Sequence, residues 1–521
     1  MSNALIEALQ RPTLFDHPVD SFELIETHIS WVLLTGAYAY KIKKPVDFGF
    51  LNFSSLEARK RFCEAEVSLN KRLAPEIYDC VIPLFGDEST PTLNGPGEPF
   101  EYMVRMHQFP RGQLLSELQE RKELTIDHID RLGEILANFH ADIEIAAADS
   151  DFGTATQVMA PVSQNFEQIR PLLADNTDDL RQLDLLQGWA EDSYQRLTPV
   201  IEQRKTAGFT RACHGDVHLG NITLFNEQVV LFDCIEFNEE FRWTDTCADI
   251  AFLIMDLEAR GEEKLANHCL NRYLEISGDY QSLALLNFYK SYRAMVRAKV
   301  SLFMMQGVDD SEKSRLLAEY RKYADLAEHY TSVPFRFASI THGLSGSGKS
   351  TTGDKLIDGL RIIRVRSDVE RKRLYGLAPE ASSESELNAN IYTPQANEHT
   401  YTRLTELCVE ILSYGFSVVV DATYLKQHQR QQIHDAVEEL GAPFLILSCE
   451  AELENIRQWI KTRAEQGGDP SEANLEVLDQ QLKSSEPLTE QELQYRKLVK
   501  TDDKDSVDSL VERIQQRFGH P

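Results

Sequence analysis

Between Gly343 and Ser350 the chain reads Gly-Leu-Ser-Gly-Ser-Gly-Lys-Ser, after the apolar stretch Phe335 to His342 and before a helix-forming run from Thr351 to Leu360. Glycines at this density let the backbone turn with positive φ and approach a ligand closely. The helix that follows offers unpaired N–H groups to an anion. Strand, glycine turn and helix in that order commit the segment to a parallel α/β sheet, with the loop at a strand's C-terminal end. A second dense motif lies far upstream: His214-Gly215-Asp216-Val217-His218-Leu219-Gly220-Asn221, then a hairpin-like stretch and Asp233. This one has the make-up of a protein-kinase-like catalytic loop. The two motifs belong to unrelated folds, so the chain is expected to be a fusion.

The length fits a fusion. At 521 residues, about 100–200 residues per domain gives roughly three structural units. A formal charge of −29 repels polyanions and argues against a dedicated nucleic-acid binder. Met1 to Arg11 lacks a basic region followed by an apolar core, so no signal peptide is expected. Every apolar run falls short of the roughly 18 residues of a membrane span. The longest tempting one, Ile250 to Met255, is cut off by Asp249 and Asp256 and reads as a buried helix. Eight scattered cysteines form no Cys-x-x-Cys pair, which points to free thiols in a reducing cytoplasm.

In the first half, Trp31 to Thr35 and Tyr38 to Lys43 read as strands, Leu56 to Leu73 as a helix, and Glu101 to Met106 as a strand running into the breaker Gln108 to Gly112. That succession predicts a small lobe over about 20–108 and a mostly helical lobe over about 113–330, within a domain spanning 1–330. Asp216 is the expected base beside the acceptor hydroxyl. Asn221 and Asp233 are the expected metal ligands. The strands Ile222 to Phe225 and Val229 to Phe232, joined by Asn226-Glu227-Gln228, return Asp233 to the site. Asp249 is expected to brace the loop. A phosphate-binding lysine is also needed, and Lys41 and Lys43 share one strand face, so spacing does not separate them. Ala39-Tyr40-Lys41 copies the Ala-x-Lys pattern and favours Lys41. Glu66, on the helical face of Leu69 and Leu73, is preferred over Glu64 as its partner. Met106, closing the strand before the breaker, is counted with Lys41, Lys43 and Glu66 among the cofactor contacts.

His-Gly-Asp-x-His-x-x-Gly-Asn, then Phe232-Asp233, then Asp245-x-x-x-Asp249-Ile250-Ala251 resembles the aminoglycoside phosphotransferase and choline kinase superfamily over roughly 25–330. Cys234 stands where protein kinases carry the aromatic of Asp-Phe-Gly, and no G-x-G-x-x-G loop precedes the lysine. Both departures favour a small-molecule or atypical kinase. Glu236, Glu239 and Glu240 would suit a polycationic acceptor. Arg293 and Arg297, with Lys290 and Lys299, would suit an anionic one, unless they pair with surface carboxylates.

In the second half, spanning 335–521, backbone N–H groups of Gly343, Ser345, Gly346, Ser347 and Gly348 are expected to cradle the β-phosphate, with Thr351 close behind. Lys349 would reach the β/γ oxygens and the Ser350 hydroxyl would ligate Mg²⁺. Gly415 to Thr423 reads as a buried strand carrying Asp421, which would hold the metal's water shell. Pro443 to Ser448 and Lys497 to Lys500 read as further strands, giving a doubly wound parallel sheet. Asp368, at the end of the short strand Ile362 to Val365, suits a general base. The run Arg371-Lys372-Arg373 reads as an acceptor-phosphate site or a solvated helix face. Arg457 and, preferably, Arg463 precede Gln466-Gly467-Gly468-Asp469-Pro470 and suit a closing lid. This half resembles small P-loop kinases such as gluconate kinase, zeta toxins and the kinase domain of polynucleotide kinase, over roughly 335–505. It shares only the P-loop with proteins loosely called AAA ATPases. The fusion order resembles a bacterial bifunctional family.

The expected fold is therefore a multidomain α/β and α+β chain, with an N-terminal two-lobed kinase-like fold and a C-terminal doubly wound P-loop fold. The expected function is an ATP- and Mg²⁺-dependent kinase with two sites and small-molecule acceptors. Alternatives are a nucleotide-bound regulatory switch and 5′-hydroxyl polynucleotide phosphorylation, the latter admitted by the basic cluster from Arg361 to Arg373. No membrane partner is expected, and a homodimer is compatible with the sequence. The acceptors, and the choice between ATP and GTP, are not encoded in these motifs.

Overall fold

The computed structural model describes residues 3–49, 51–173, 176–332, 335–379, 381, 390–466 and 474–518. The chain forms two compact units. The first comprises Met1–His128, Asp142–Gln168 and Glu191–Asp256; the second comprises Ile129–Ala141, Ile169–Ala190 and Leu257–Pro521.

The first unit opens with an antiparallel sheet of β1 (Glu23–Glu26), β2 (Ser30–Leu34), β3 (Tyr38–Lys43), β4 (Tyr78–Leu84) and β5 (Glu101–His107), in the order β1-β2-β3-β5-β4. Side chains alternate between the faces of a strand, and β3 uses both. Tyr40 and Ile42 pack with Leu5, Leu9, Trp31 and Met103. Ala39 packs on the other side with Cys63, Tyr78, Val104 and Met106. Lys41 and Lys43 share Ala39's side, towards the helix Leu56–Asn70. That helix starts where Ser55 caps it, its side chain accepting from the Ala58 N–H, and its Cys63 and Glu66 are buried.

Further along, β6 (Thr210–Ala212) pairs with β9 (Trp243–Asp245), and β7 (Ile222–Phe225) with β8 (Gln228–Leu231). The β7–β8 loop is one residue tighter than the sequence suggested. Asn226 and Glu227 both take positive φ, 51° and 63°, as a two-residue type I′ turn requires. Gln228 therefore joins the ladder opposite Phe225. The apolar run Ile250 to Met255 lies buried in the helix Thr246–Ala259. Among the described residues no helix is long and apolar enough to cross a membrane.

The second unit is built on a parallel sheet of β10 (Ala338–His342), β11 (Ile362–Arg366), β12 (Ser417–Asp421), β13 (Phe444–Glu450) and β14 (Arg496–Lys500), in the order β11-β12-β10-β13-β14. The helices Lys349–Gly359 and Lys504–Phe518 cover one face through Leu356, Ile357, Leu510 and Ile514, against Val419, Leu445 and Val499. The helices Pro394–Ser413 and Gln427–Glu439 pack on β12 and β13. β10 begins three residues later than the apolar stretch implied, because the Phe337 N–H goes to the Ser417 hydroxyl at 3.2 Å and its ring enters the core.

The outer edge of β11 would offer bare N–H and C=O groups. The helix Glu263–Ser277 closes it with side chains. Asn271 donates to the Ile362 carbonyl at 3.0 Å and accepts from the Arg364 N–H at 2.7 Å, standing in for a neighbouring strand. Asn267 donates to the Leu360 carbonyl at 3.0 Å. Glu275 faces Arg364 and Arg366 at 3.6 and 3.3 Å.

Candidate active sites

The first site hangs on the turn between β6 and β7. The Asp249 carboxylate accepts the backbone N–H groups of His214 at 2.8 Å and Gly215 at 2.9 Å. Asp256 accepts that of Leu219 at 3.0 Å. The two aspartates are seven residues apart, hence on one helical face. Asp256 was not singled out in the sequence, although that spacing from Asp249 carried the signal. Gly215 has φ 88°, and a Cβ there would meet the Phe241 carbonyl oxygen at 2.9 Å, so glycine is required. His214 is a structural member: its Nε2 bonds to the Phe232 carbonyl at 3.0 Å, and burial pushes its pKa down. Asn221 donates from Nδ2 to the Asp216 carboxylate at 3.0 Å and to the Asp216 carbonyl at 3.1 Å, which fixes the two side chains in one corner.

Asp233 reaches the site on a left-handed backbone, φ 63°. The Tyr78 hydroxyl accepts its N–H at 3.2 Å, and the Asn70 side chain accepts that of Cys234 at 2.8 Å. From Asp233 a line of alternating charge runs inward. Lys41 Nζ lies 2.6 Å from Asp233 Oδ1 and 2.8 Å from Glu66 Oε1. Lys43 Nζ lies 2.6 Å from Glu66 Oε2 and also bonds to Glu236. The two lysines that the sequence left side by side thus occupy different places. Lys41 bridges to Asp233, whose side chain is 41% exposed, whereas Lys43 and Glu236 are 2% and 4% exposed. Burial alone would push the Glu66 carboxyl up, but the two flanking lysines hold it at about 2. Lys41, desolvated in the same way, is driven well above its ordinary value by Asp233 and Glu66. Burial pushes the Glu236 carboxyl up, with Lys43 opposing.

Glu236, a candidate for the lining of a polycationic acceptor's pocket, is instead buried against Lys43. Glu239 is exposed and lies 3.5 Å from Arg242, the buried last residue of the same helical turn. Glu64, the discarded alternative to Glu66, is exposed 3.9 Å from Lys60. Met106 lies in the apolar layer with Ala39 and Val230. In the second unit, Lys290 is buried against Glu258 at 2.7 Å, and burial lowers Lys299 to about 8.

The second site surrounds the glycine-rich turn after β10. Gly343 donates to the Thr423 carbonyl at 3.1 Å. A Cβ at Gly343 would meet the Cys449 carbonyl oxygen at 2.5 Å, one at Gly346 would meet Ile460 at 2.6 Å, and one at Gly348 would meet Thr501 at 2.7 Å. Neighbouring chain therefore presses the loop from outside, leaving its inner side as a cradle of N–H groups at a helix N-terminus. Ser347 Oγ is buried there without a hydrogen-bond partner. The Lys349 ammonium donates to the Leu344 carbonyl at 2.7 Å, folded over the same turn. Ser350 Oγ donates to Asp421 Oδ2 at 3.0 Å, and Asp421 Oδ1 accepts from Thr341 at 3.3 Å. A hydroxyl beside a carboxylate at a phosphate cradle is the donor set that a nucleotide-bound Mg²⁺ takes. In the first unit, Asn221 and Asp233 carry oxygen donors of the same kind.

Other expectations change here. Asp368 lies not at a strand end but in the first turn of the helix Ser367–Leu374. The run Arg371-Lys372-Arg373 is not a solvated helix face. Arg371 and Lys372 are buried, donating to the Ile391 and Pro379 carbonyls at 2.9 and 3.2 Å, and Arg373 bonds to Glu370. Satisfying local carbonyls is what holds these cations inside the fold. Thr351 is exposed, whereas Thr352 faces inward with Oγ1 on the Gly348 carbonyl at 3.0 Å. Arg457 pairs with Asp479 at 2.9 Å. Arg463 belongs to the helix Leu453–Gln466, but its side chain, like residues 467–473 of the expected lid, lies outside the described residues.

Residues 60–286 match the family model described as "Phosphotransferase enzyme family", and residues 339–488 match the one described as "AAA domain". The chain joins a phosphotransferase-family domain to a P-loop domain. That is the resemblance drawn from the motifs. An uncharacterized protein of Mycobacterium tuberculosis is 28% identical over 466 residues, covering 88% of this chain and 90% of that protein. A protein of Mycobacterium bovis matches to the same extent. Among solved structures, a GDP complex of aminoglycoside 2′-phosphotransferase-IIIa covers 62% of this chain and 99% of its own, at 15% identity and TM-score 0.36. A choline/ethanolamine kinase family protein from Mesorhizobium loti covers 63% and 98%, at 12% and 0.35. Chaetomium thermophilum Kti12 with ADP-AlF3 covers 35% and 100%, at 14% and 0.27. The two family matches support phosphoryl transfer of the kinase type.

Proposed function

We propose that the protein is a cytoplasmic, bifunctional ATP-dependent kinase, with one active site in residues 1–330 and a second in 335–521, each transferring a γ-phosphoryl group to the hydroxyl of a small metabolite. The observation that carries this reading is that each site has a lysine and a set of oxygen donors, which suit a phosphate chain and a metal. In the first, Lys41 faces Asp233, with Asn221 beside Asp216. In the second, Lys349 lies over the loop, with Ser350 on Asp421.

Mg²⁺, when bound, neutralises developing charge on the phosphate oxygens. Asn221 and Asp233 would hold it in the first site, Ser350 and Asp421 in the second. Asp216 accepts the acceptor hydroxyl's proton. Its side chain is 38% exposed, which leaves it open to a substrate. Lys41, fixed by Glu66, positions the phosphates, with Met106 lining the nucleotide's side. In the second site the backbone of Ser345 to Gly348 cradles the phosphates, while Gly343, its N–H taken by the Thr423 carbonyl, sets the turn and Thr351 stands behind it. Asp368 is the candidate base, and Arg457 and Arg463 are candidate closing cations. Arg371 and Lys372, two cations of the basic cluster, are buried, which leaves less basic surface for a polynucleotide acceptor and favours small ones. A screen of metabolites with γ-labelled ATP, run on the full chain and on its Asp216→Asn and Lys349→Ala variants, tests the proposal. Each variant should lose one set of labelled products and keep the other. Identical product sets in all three proteins would refute it.

A further inference from the structure

Four consecutive N–H groups in the segment after β8 are all engaged, and their partners are of two kinds. The outer two go to backbone: Phe232 donates to the Asn221 carbonyl at 3.0 Å, and Ile235 to the His214 carbonyl at 3.0 Å. The inner two go to side chains. The Tyr78 hydroxyl accepts the Asp233 N–H at 3.2 Å, and Asn70 Oδ1 accepts the Cys234 N–H at 2.8 Å. Both side chains are buried, and each is itself fixed. Asn70 Nδ2 donates to the Glu66 carbonyl at 2.9 Å, so the carboxamide must turn its oxygen to the Cys234 N–H. The Tyr78 ring packs in the layer with Ala39, Cys63 and Val104.

The inner pair brackets a residue with a strained backbone. Asp233 has φ 63°, a region that a side-chain-bearing residue enters at a cost and keeps only where its surroundings over-determine it. The N–H groups of Asp233 and Cys234 belong to the two peptide planes that flank the Asp233 Cα. Holding both planes fixes φ and ψ of that residue, and with them the direction of its Cα–Cβ bond. We infer that Asn70 and Tyr78 are positioning residues of the first site, holding the Asp233 carboxylate in the orientation in which it takes the metal. The inference rests on Asp233 being a metal ligand, as proposed above. It adds two residues that lie outside the motif, at the end of the helix Leu56–Asn70 and the start of β4. Glu66, one turn before Asn70, pairs with Lys41 at 2.8 Å. The phosphate-binding lysine and the metal-binding aspartate thus take their positions from one helix end.

The test uses the full chain carrying Lys349→Ala as parent, so that the first site is read alone, with a non-hydrolysable ATP analogue. Mn²⁺ uptake is followed by electron paramagnetic resonance, and binding of the metal-free analogue by calorimetry in EDTA. Tyr78→Phe removes only the hydroxyl and keeps the ring; Asn70→Ala removes the second acceptor. Each should weaken Mn²⁺ binding about tenfold, the scale for losing a group that orients a metal ligand. The metal-free analogue, held by Lys41, should bind as tightly as to the parent. Added to Asp233→Ala, either substitution should cost no further Mn²⁺ affinity, because it acts through a carboxylate already removed. Unchanged Mn²⁺ affinity in Tyr78→Phe overturns the inference. So does an equal loss for metal-bound and metal-free analogue, which a merely structural role would give, or additivity with Asp233→Ala. Should Asn70→Ala melt below the assay temperature, Tyr78→Phe decides alone. Asp233→Ala by itself separates the two levels. If it takes up Mn²⁺ as tightly as the parent, the reading of Asp233 as a metal ligand fails. If it does not, and Tyr78→Phe matches the parent, only the role of Asn70 and Tyr78 falls.

Discussion

Replacing Lys43 by methionine should harm the fold more than the chemistry, and replacing Lys41 should do the reverse. Lys43 is 2% exposed between two carboxylates, Glu66 and Glu236, themselves 0% and 4% exposed. Lys43→Met leaves Glu66 paired to Lys41 but leaves Glu236 without the cation that offsets its desolvation. Breaking a buried pair from one side costs about 3–5 kcal/mol. For a domain of about 150–250 residues that lowers the melting temperature by about 6–20 °C. Lys41→Met removes a cation from Asp233, whose carboxylate water can reach, and leaves Glu66 held by Lys43, so its stability loss should stay under about 2 kcal/mol. It should nevertheless reduce phosphoryl transfer at the first site by about a hundredfold or more, the scale for losing one preorganised charge. The sign with pH is also fixed. Burial already pushes Glu236 up, and losing Lys43 pushes it further. A carboxyl raised in the folded state destabilises only above its unfolded value, near 4.3. The penalty of Lys43→Met should therefore be smaller at about pH 5 than at pH 8, and adding Glu236→Gln should restore much of it. Circular-dichroism melts of the four proteins at both pH values, with transfer rates measured in parallel, decide the matter. Equal melting temperatures for Lys43→Met and the unsubstituted chain, or no rescue by Glu236→Gln, would refute the assignment.

Two further outcomes follow from the helix Glu263–Ser277. His268 lies 2.7 Å from Asp358 and 3.6 Å from Asp130, with Lys264 also on Asp358 at 3.1 Å. Burial lowers its pKa, but the two aspartates outweigh it and the net shift is upward. A raised histidine stabilises fully below its unfolded value, near 6.5, and the gain is lost as pH rises through the folded value; the melting-temperature gap between the unsubstituted chain and His268→Gln should thus be wider at about pH 6 than at pH 9. Asn271→Ala strips the Arg364 N–H and the Ile362 carbonyl of their partner and should cost about 1–3 kcal/mol, the scale for an unsatisfied buried group. Urea denaturation checks it; an unchanged midpoint would mean that water replaces the side chain.

The parts legible in the sequence were those whose cause is local. The P-loop needs glycines within one turn, and Asp216, Asn221 and Asp233 sit at fixed offsets along one loop and hairpin, so neighbours in the chain are neighbours in space. Strand alternation placed Lys41 and Lys43 on one face but gave no depth, because depth depends on Glu66 and Glu236 arriving from separate segments. Arg371 and Lys372 looked like a solvated run, since charge is a good guide to exposure only until carbonyls beyond the helix, here those of Ile391 and Pro379, supply acceptors. Asn271 was invisible because a single carboxamide on a helix carries no periodic signal and its partner, the Ile362 carbonyl, lies 91 residues away.

Nucleotide stoichiometry tests the central claim most directly. Isothermal titration of the full chain with a non-hydrolysable ATP analogue and Mg²⁺ should give two molecules bound per chain. Asp233→Ala and Lys349→Ala should each lower that to one, and the affinity retained in each should match one of the two in the unsubstituted chain. A single bound nucleotide, abolished by one substitution and untouched by the other, would contradict two phosphoryl-transfer sites.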